Sequence, residues 1–447
     1  MMPDESPDRV TRFGDFVVLL LLKSREIFDK MIGNEKRTGR SAPVWERKME
    51  LLYLLVVFLV IVGLLALRRP LYQAMLGGLL ATGIFYRLSP MTMLEASGRV
   101  FTQWSSLQVL VSLYLITFLQ RMLEARQMIK QAQQDLNGIF HNRRVNAGGA
   151  PVFIGLLPSA AAMILCADIV KDATDGYLDA KEQAFVTSWM RHIPESILPT
   201  YSGVLLMCSL SGVALPRFML GMIVPTLVLA LLGYFPYIHR LPKDPGTPPS
   251  NNRRRDARNL LAHLWPLLLI IALILIFNIS VVPATLSAMA ALALVCRFKP
   301  GELLPMVKSA FEVKLLLNTF LVLVLKEWIG CTGVLEQLPL ALSGLPIPMY
   351  LVFVLLFFLG GMISGASGII ALGTPLAFAA MDGGMPLMVL LMCISHAASQ
   401  VSPVHVCLVV AADYYHVSMG ALIRKTLPVA LLFCLLMIGY YNILLLL

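Results

Sequence analysis

His192-Ile-Pro-Glu-Ser-Ile-Leu-Pro199 and, in the other half of the chain, His396-Ala-Ala-Ser-Gln-Val-Ser-Pro403 are two octapeptides that decide how the rest is read. Each opens on His, closes on Pro and sits inside a long apolar run, and the displacement from one His to the other equals that between the prolines. Proline removes a backbone N–H donor and clashes with the preceding helical turn, so Pro194, Pro199 and Pro403 predict interrupted helices. In hydrocarbon the backbone groups freed by an interruption need partners from protein or from a water-lined cavity. One interruption in each half therefore predicts a polar pocket inside a membrane protein.

Composition agrees. The 447 residues are 58% hydrophobic and 14% charged, against about 25% charged in a soluble domain, and the mean hydropathy is +0.77. So few charges cannot cover the surface of a water-soluble protein of this size. Soluble enzymes, disordered chains and nucleic-acid-binding domains are excluded, and no nucleic acid is expected as a partner. The net charge of +10 fits Lys and Arg held in cytoplasmic loops. Placing 239–259 inside puts the loops bearing Arg68/Arg69, Arg121 to Arg144, Arg297 to Lys308 and Arg424/Lys425 on the same side. The expected location is the inner (plasma) membrane, crossed many times, with the lipid bilayer as the surrounding partner.

The seven cysteines are odd in number and show no CxxC or Cys/His ligand spacing, so neither disulfides nor structural zinc are expected. No cofactor or metal ligand set is predicted, apart from a coupling Na⁺ or H⁺. There is no Gly-x-Ser-x-Gly, His-Glu-x-x-His, P-loop or dinucleotide fingerprint, so neither an enzyme nor an ATP-driven pump is expected.

Four segments follow. Residues 1–49 are a polar, amphipathic N-terminal segment in which 14–32 could lie along the membrane surface. Residues 50–238 form repeat 1, 239–259 a basic cytoplasmic linker, and 260–447 repeat 2. Ten apolar runs are candidate crossings. Two further stretches, 150–170 and 362–382, carry Gly, Pro and Ser where a plain crossing carries Leu, and are read as re-entrant hairpins. The stretch 343–361 fits either another crossing or the approach to the second hairpin. Each octapeptide follows a hairpin at similar distance, and Leu115 to Arg121 resembles Leu321 to Glu327. The expected fold is an all-α polytopic membrane protein: two inverted repeats of about five transmembrane helices, each with a re-entrant hairpin and a broken helix. An odd number of crossings per repeat inverts the second copy, an arrangement common in secondary transporters.

Candidate ligand residues cluster at these features. Glu195 lies between two prolines, and an ionisable group within a membrane is a functional candidate by default. An ion pair with Arg191 or His192 is the structural alternative. His192 and His396 occupy equivalent positions and suit proton sensing, anion contact or simple capping. Ser196 and Thr200 follow the first break, while Ser399, Gln400 and Ser402 surround the second. Their hydroxyls and amides could bind a carboxylate or Na⁺, or join helices. Ser159 belongs to the first hairpin tip, and Ser364, Ser367 and Thr374 to the second. Half-helix N-termini favour anions. A gated ion channel or passive ion pathway could use the same broken helices.

The run Arg143 to Asp168, with Gly155-Leu-Leu-Pro158-Ser159, followed by Phe185 to Tyr201 with Arg191-His192-Ile193, Glu195 and Pro199-Thr200-Tyr201, resembles the DUF401 family of integral membrane proteins, grouped with the ion transporter superfamily of gluconate, citrate, dicarboxylate and arsenite permeases. The resemblance covers nearly the whole chain from about residue 50. It implies inverted repeats, paired re-entrant hairpins, a homodimer, elevator-type alternating access and H⁺- or Na⁺-coupled movement (symport) of a small organic, carboxylate-like anion. The first hairpin here, Pro158-Ser159-Ala-Ala-Ala-Met, is poorer in Gly than the superfamily pattern, and the Ser-Asn-Thr tips of the dicarboxylate relatives are missing.

Overall fold

The computed structural model describes residues 44–67, 69–156, 161–244, 252–342 and 346–446. The possible surface helix at 14–32 and the hairpin residue Ser159 lie outside them. The described residues are helical, with no strand among them.

The first half runs α1 (Val44–Ala66), α2 (Leu71–Phe85), α3 (Pro90–Thr102), α4 (Trp104–Ala125), α5 (Met128–Phe140), α6 (Arg143–Ile154), α7 (Ala161–Thr174) and α8 (Ala180–His192). A 3₁₀ turn (Ile193–Ser196) separates α8 from α9 (Ser202–Ser211), which is followed by α10 (Leu215–Gly221) and α11 (Ile223–Tyr234). The second half runs α12 (Arg253–Leu275), α13 (Val281–Val295), α14 (Pro300–Ala310), α15 (Val313–Gly330), α16 (Leu338–Leu342), α17 (Met349–Ala380), α18 (Gly384–Ser399), α19 (Val406–Tyr414) and α20 (Met419–Leu444).

The opening helices of the halves match in length. α1 and α12 each have 23 residues, and α2 and α13 each have 15. α2 and α13 are each followed by an arginine of positive φ, Arg87 and Arg297, and then by a helix starting at proline. The packing between halves is reciprocal. α2 lies on α15 as α13 lies on α4; α3 lies on α15 as α14 lies on α4; α9 lies on α17 as α19 lies on α7.

Local sequence explains the boundaries. Ser89 Oγ accepts from Thr92 N–H at 3.1 Å, with Pro90 in the first turn of α3. Asp179 and Glu182 form a reciprocal capping box at the start of α8. Asn252 caps α12 through Arg255 N–H at 3.0 Å, so this helix begins inside the stretch read as linker. The amphipathic α5 packs against α12 and is joined to it by Asp135 and His263, 2.6 Å apart.

Five described helices are long and apolar enough to cross a bilayer, or six if α9 and α10, bent by 114°, count as one span; α2, α11, α13 and α18 are shorter apolar helices. The chain is a multi-pass membrane protein. One of the five, α17, is not straight. In a continuous helix Phe357 and Gly373 would be about 24 Å apart, yet a Cβ on Gly373 would come within 2.9 Å of the Phe357 ring. Likewise a Cβ on Gly360 would meet Ile369 Cγ1 at 3.3 Å. The chain therefore folds back at Gly365, whose φ of 73° and ψ of 168° belong to a region open to glycine. Neither arm has the roughly 20 residues of a crossing. The second hairpin is thus all of α17 rather than 362–382. Its first arm takes up most of 343–361 and Ser364 to Gly368 form the turn, whereas Thr374, read as part of the tip, lies in the second arm. In the first hairpin, α6 and α7 pack side by side.

Candidate functional site

The two proline-bearing octapeptides both interrupt helices. α8 ends at His192, and regular helix does not resume until Ser202; α18 ends at Ser399 and α19 starts at Val406. The breaks face each other. The 3₁₀ turn of the first packs against α18, α19 packs against α8, and the His192 and His405 rings are 4.7 Å apart between centroids.

Each break is held by the hairpin of its own half. In the first, Tyr201 O–H donates to the Gly155 carbonyl, and a Cβ at Gly155 would collide with the Arg191 carbonyl oxygen. In the second, Ser402 O–H donates to Met362 C=O at 2.8 Å, and a Cβ at Gly361 would lie 2.8 Å from the Ala398 methyl and 3.9 Å from the Ser395 carbonyl. Arg191 and Ser395 each immediately precede the histidine that opens an octapeptide. A glycine in each hairpin thus lets two backbones approach at equivalent places.

Charge is concentrated at the first break. Glu195, about one-third exposed, has Oε2 3.9 Å from Arg191 Nη1 and 3.8 Å from His192 Nε2. Arg191 and His192 are buried. These distances exceed a direct hydrogen bond, so the carboxylate stands between two nitrogen-bearing side chains without being closed off by either. His192 Nδ1 is 2.5 Å from Ser188 C=O, and His405 Nδ1 is 3.0 Å from Ser399 C=O.

The hydroxyls divide into two groups. Ser196 donates to Ile193 C=O at 2.8 Å and Ser399 to His396 C=O at 2.7 Å, so each satisfies a carbonyl of its own interrupted turn. Thr200 Oγ1, Thr374 Oγ1 and both amide atoms of Gln400 are buried and make no hydrogen bond among the described residues. Buried polar atoms of that kind are costly, which makes Gln400 the strongest neutral ligand candidate. His396 is buried in the last turn of α18.

A cavity of about 790 Å³ reaches the second break, lined by Ser364 and Ile363 of the hairpin bend, Pro403, Val404, and Arg69 and Asp413. Pro194 and Pro199 are buried, whereas Pro403 is exposed to this opening. Ser367 is exposed on the hairpin bend, and Ser364 donates to Gly360 C=O at 2.8 Å. The structure therefore gathers His192, Glu195 and Ser196 with α18 and the break that follows it, and places Ser364 along the access route.

Sequence reasoning gave too little weight to Arg191, Tyr201, His405 and Cys407. Arg191 was read only as a partner for Glu195. The signal for the last two was His405-Val-Cys407 directly after a helix break, two ligand-type side chains whose partner, His192, is remote in sequence.

Residues 51–444 match the family described as "Protein of unknown function (DUF401)", and the chain belongs to that family. No curated protein matches the chain. Among solved structures, the chain is similar to the YdaH transporter of Alcanivorax borkumensis, with a TM-score of 0.52, 15% identity, and 79% of this chain and 86% of that chain covered. At that identity the similarity concerns the fold.

Proposed function

We propose that this chain is a secondary active transporter that moves a small, carboxylate-like organic anion by elevator-type alternating access, coupled to H⁺ or Na⁺. The observation that carries the reading is the meeting of two interrupted helices, with His192 against His405 and a cavity arriving at the second break. The fold shared with a transporter supports it, as do the reciprocal contacts between halves. In this reading the halves are inverted in the membrane, the hairpins α6–α7 and α17 are re-entrant, and the protein works as a homodimer in the inner (plasma) membrane. No chemical step is assigned to it.

Each part has a role. The interrupted helices supply backbone N–H and C=O groups that regular helix would have consumed. Gln400 and Thr200 offer polar atoms without internal partners. Glu195 is the coupling carboxylate. Held loosely by Arg191 and His192, it can exchange those neighbours for a proton or Na⁺. An anion arriving near Arg191 would compete with Glu195 for the guanidinium, which links cargo binding to the state of the carboxylate.

The test is uptake of labelled mono- and dicarboxylates into proteoliposomes under imposed H⁺ or Na⁺ gradients. A carrier gives saturable, gradient-dependent uptake. Flux that rises linearly with concentration and follows membrane potential alone would replace the carrier with the channel reading.

A further inference from the structure

We propose that His192, His405 and Cys407 form a binding site for a divalent metal ion of the Zn²⁺ class, bridging the two helix breaks. Their ligand atoms all lie within 4.8 Å of one another. Ligands sharing one tetrahedral Zn²⁺ at 2.0–2.3 Å stand about 3.5 Å apart, so modest side-chain rotation closes the set.

The histidines are oriented for this task. With Nδ1 against the Ser188 carbonyl at 2.5 Å, His192 carries its proton on Nδ1 and presents the Nε2 lone pair. That atom is fully buried and makes no hydrogen bond among the described residues. His405 repeats the arrangement through the Ser399 carbonyl at 3.0 Å. A backbone carbonyl behind one ring nitrogen is the usual outer support of a metal-binding histidine.

The donor chemistry selects the ion. Two imidazoles and a thiol suit Zn²⁺ or Co²⁺, whereas Mg²⁺ and Ca²⁺ seek oxygen. Glu195 Oε2, 3.8 Å from His192 Nε2, is within the span of two ligands on one ion and offers a fourth position. Arg191 Nη1, 3.9 Å from the same oxygen, competes for that carboxylate, so the three-residue set is the core of the site. Binding converts the Cys407 thiol to thiolate and releases its proton to solvent. The thiolate and the Glu195 carboxylate offset the charge of the ion.

The ligands come from opposite halves: His192 precedes the first break, and His405 and Cys407 follow the second. An ion here joins the halves and resists their separation. This inference does not require the chain to carry an anion, and its readout is independent of flux.

The test uses the full chain, purified in detergent, stripped with EDTA and titrated with Co²⁺. The expected result is one Co²⁺ per chain with a near-ultraviolet thiolate-to-metal band and visible bands of tetrahedral cobalt. Cys407→Ser should remove the thiolate band and weaken binding by at least roughly tenfold, the cost of losing even an outer-shell partner; Cys296→Ser should change neither. Zn²⁺ should also slow maleimide labelling of Cys407, half-buried in the native chain, without slowing that of Cys331, a measurement that needs no variant. Sub-stoichiometric Co²⁺, a thiolate band surviving Cys407→Ser, or an unchanged Cys407 labelling rate would each overturn the site.

Discussion

The two helix breaks share a framework and differ in what they hold. The first contains Arg191 and His192, both buried, and Glu195, about one-third exposed; the second contains Ser399, Gln400 and Ser402, carries no carboxylate or guanidinium, and opens at Pro403 to the cavity. A charge in the membrane is expensive, and at the first break the buried Arg191 and His192 flank the Glu195 carboxylate. Ser399, Gln400 and Ser402 are themselves buried, and the residues of the second break that meet the opening are Pro403 and Val404. The two breaks thus differ in the charge they carry and in which of them borders the cavity, whose wall also includes Arg69 and Asp413.

The sharpest way to break this comparison is at the glycines that let each hairpin touch its break. Gly155→Ala sets a Cβ against the Arg191 carbonyl, a backbone atom in the last turn of α8. It should destabilise the protein by about 3 kcal/mol, the upper end of overpacking. Gly361→Ala meets the Ala398 methyl and should cost less. Melting temperatures in detergent rank the pair, and an equal loss would mean that the hairpins press on the breaks alike.

The difference in charge is tested next by Glu195→Gln and Gln400→Leu. With both of its contacts at 3.8 and 3.9 Å, beyond a direct hydrogen bond, Glu195→Gln should leave the melting temperature nearly unchanged and abolish the gradient dependence of uptake. Gln400→Leu should raise the half-saturating concentration while the gradient dependence persists. If Gln400→Leu alone removed that dependence, the assignment of roles to the two breaks would be reversed.

Gly365→Ala examines the fold-back in α17. A Cβ there meets no atom within 4 Å, so the cost is purely conformational, about 1–3 kcal/mol for a residue forced into a glycine region. No loss of stability would argue for a relaxed bend.

The smallest effect lies outside the membrane. Arg126 bonds Glu302 at 3.2 Å while stacking over Phe298, and that hydrogen bond holds the Glu302 carboxyl below its ordinary range. Its folded value is depressed, so the contribution is complete above the ordinary carboxylate range and disappears as pH falls through the depressed one. Wild type and Glu302→Gln should differ slightly in melting temperature at neutral pH and converge in strong acid; a gap persisting there would point to packing.

Proline position, apolar run length and the repeated His and Pro were enough to place both interruptions; proline alone was not, since Pro151, Pro266 and Pro428 lie inside helices that continue through them. The same local logic located the Ser364–Gly368 bend, though it extended the tip to Thr374 and began the hairpin at 362, since composition marks small residues without saying how long the arms are. Other features depended on distance. Nothing near His192 announces His405, and Cys407 stands in an apolar stretch with no CxxC spacing around it. Gly155 and Arg191 meet only because α6 packs on α8.

The sequence by itself determined that this is an all-helical membrane protein with an interrupted helix in each half, since hydropathy and proline chemistry operate along the chain. Only the tertiary structure decided which interruption meets the cavity and which side chains from the two halves share a pocket. Those choices come from packing between segments far apart in sequence, and hydrocarbon rewards any packing that gives the freed polar groups a partner.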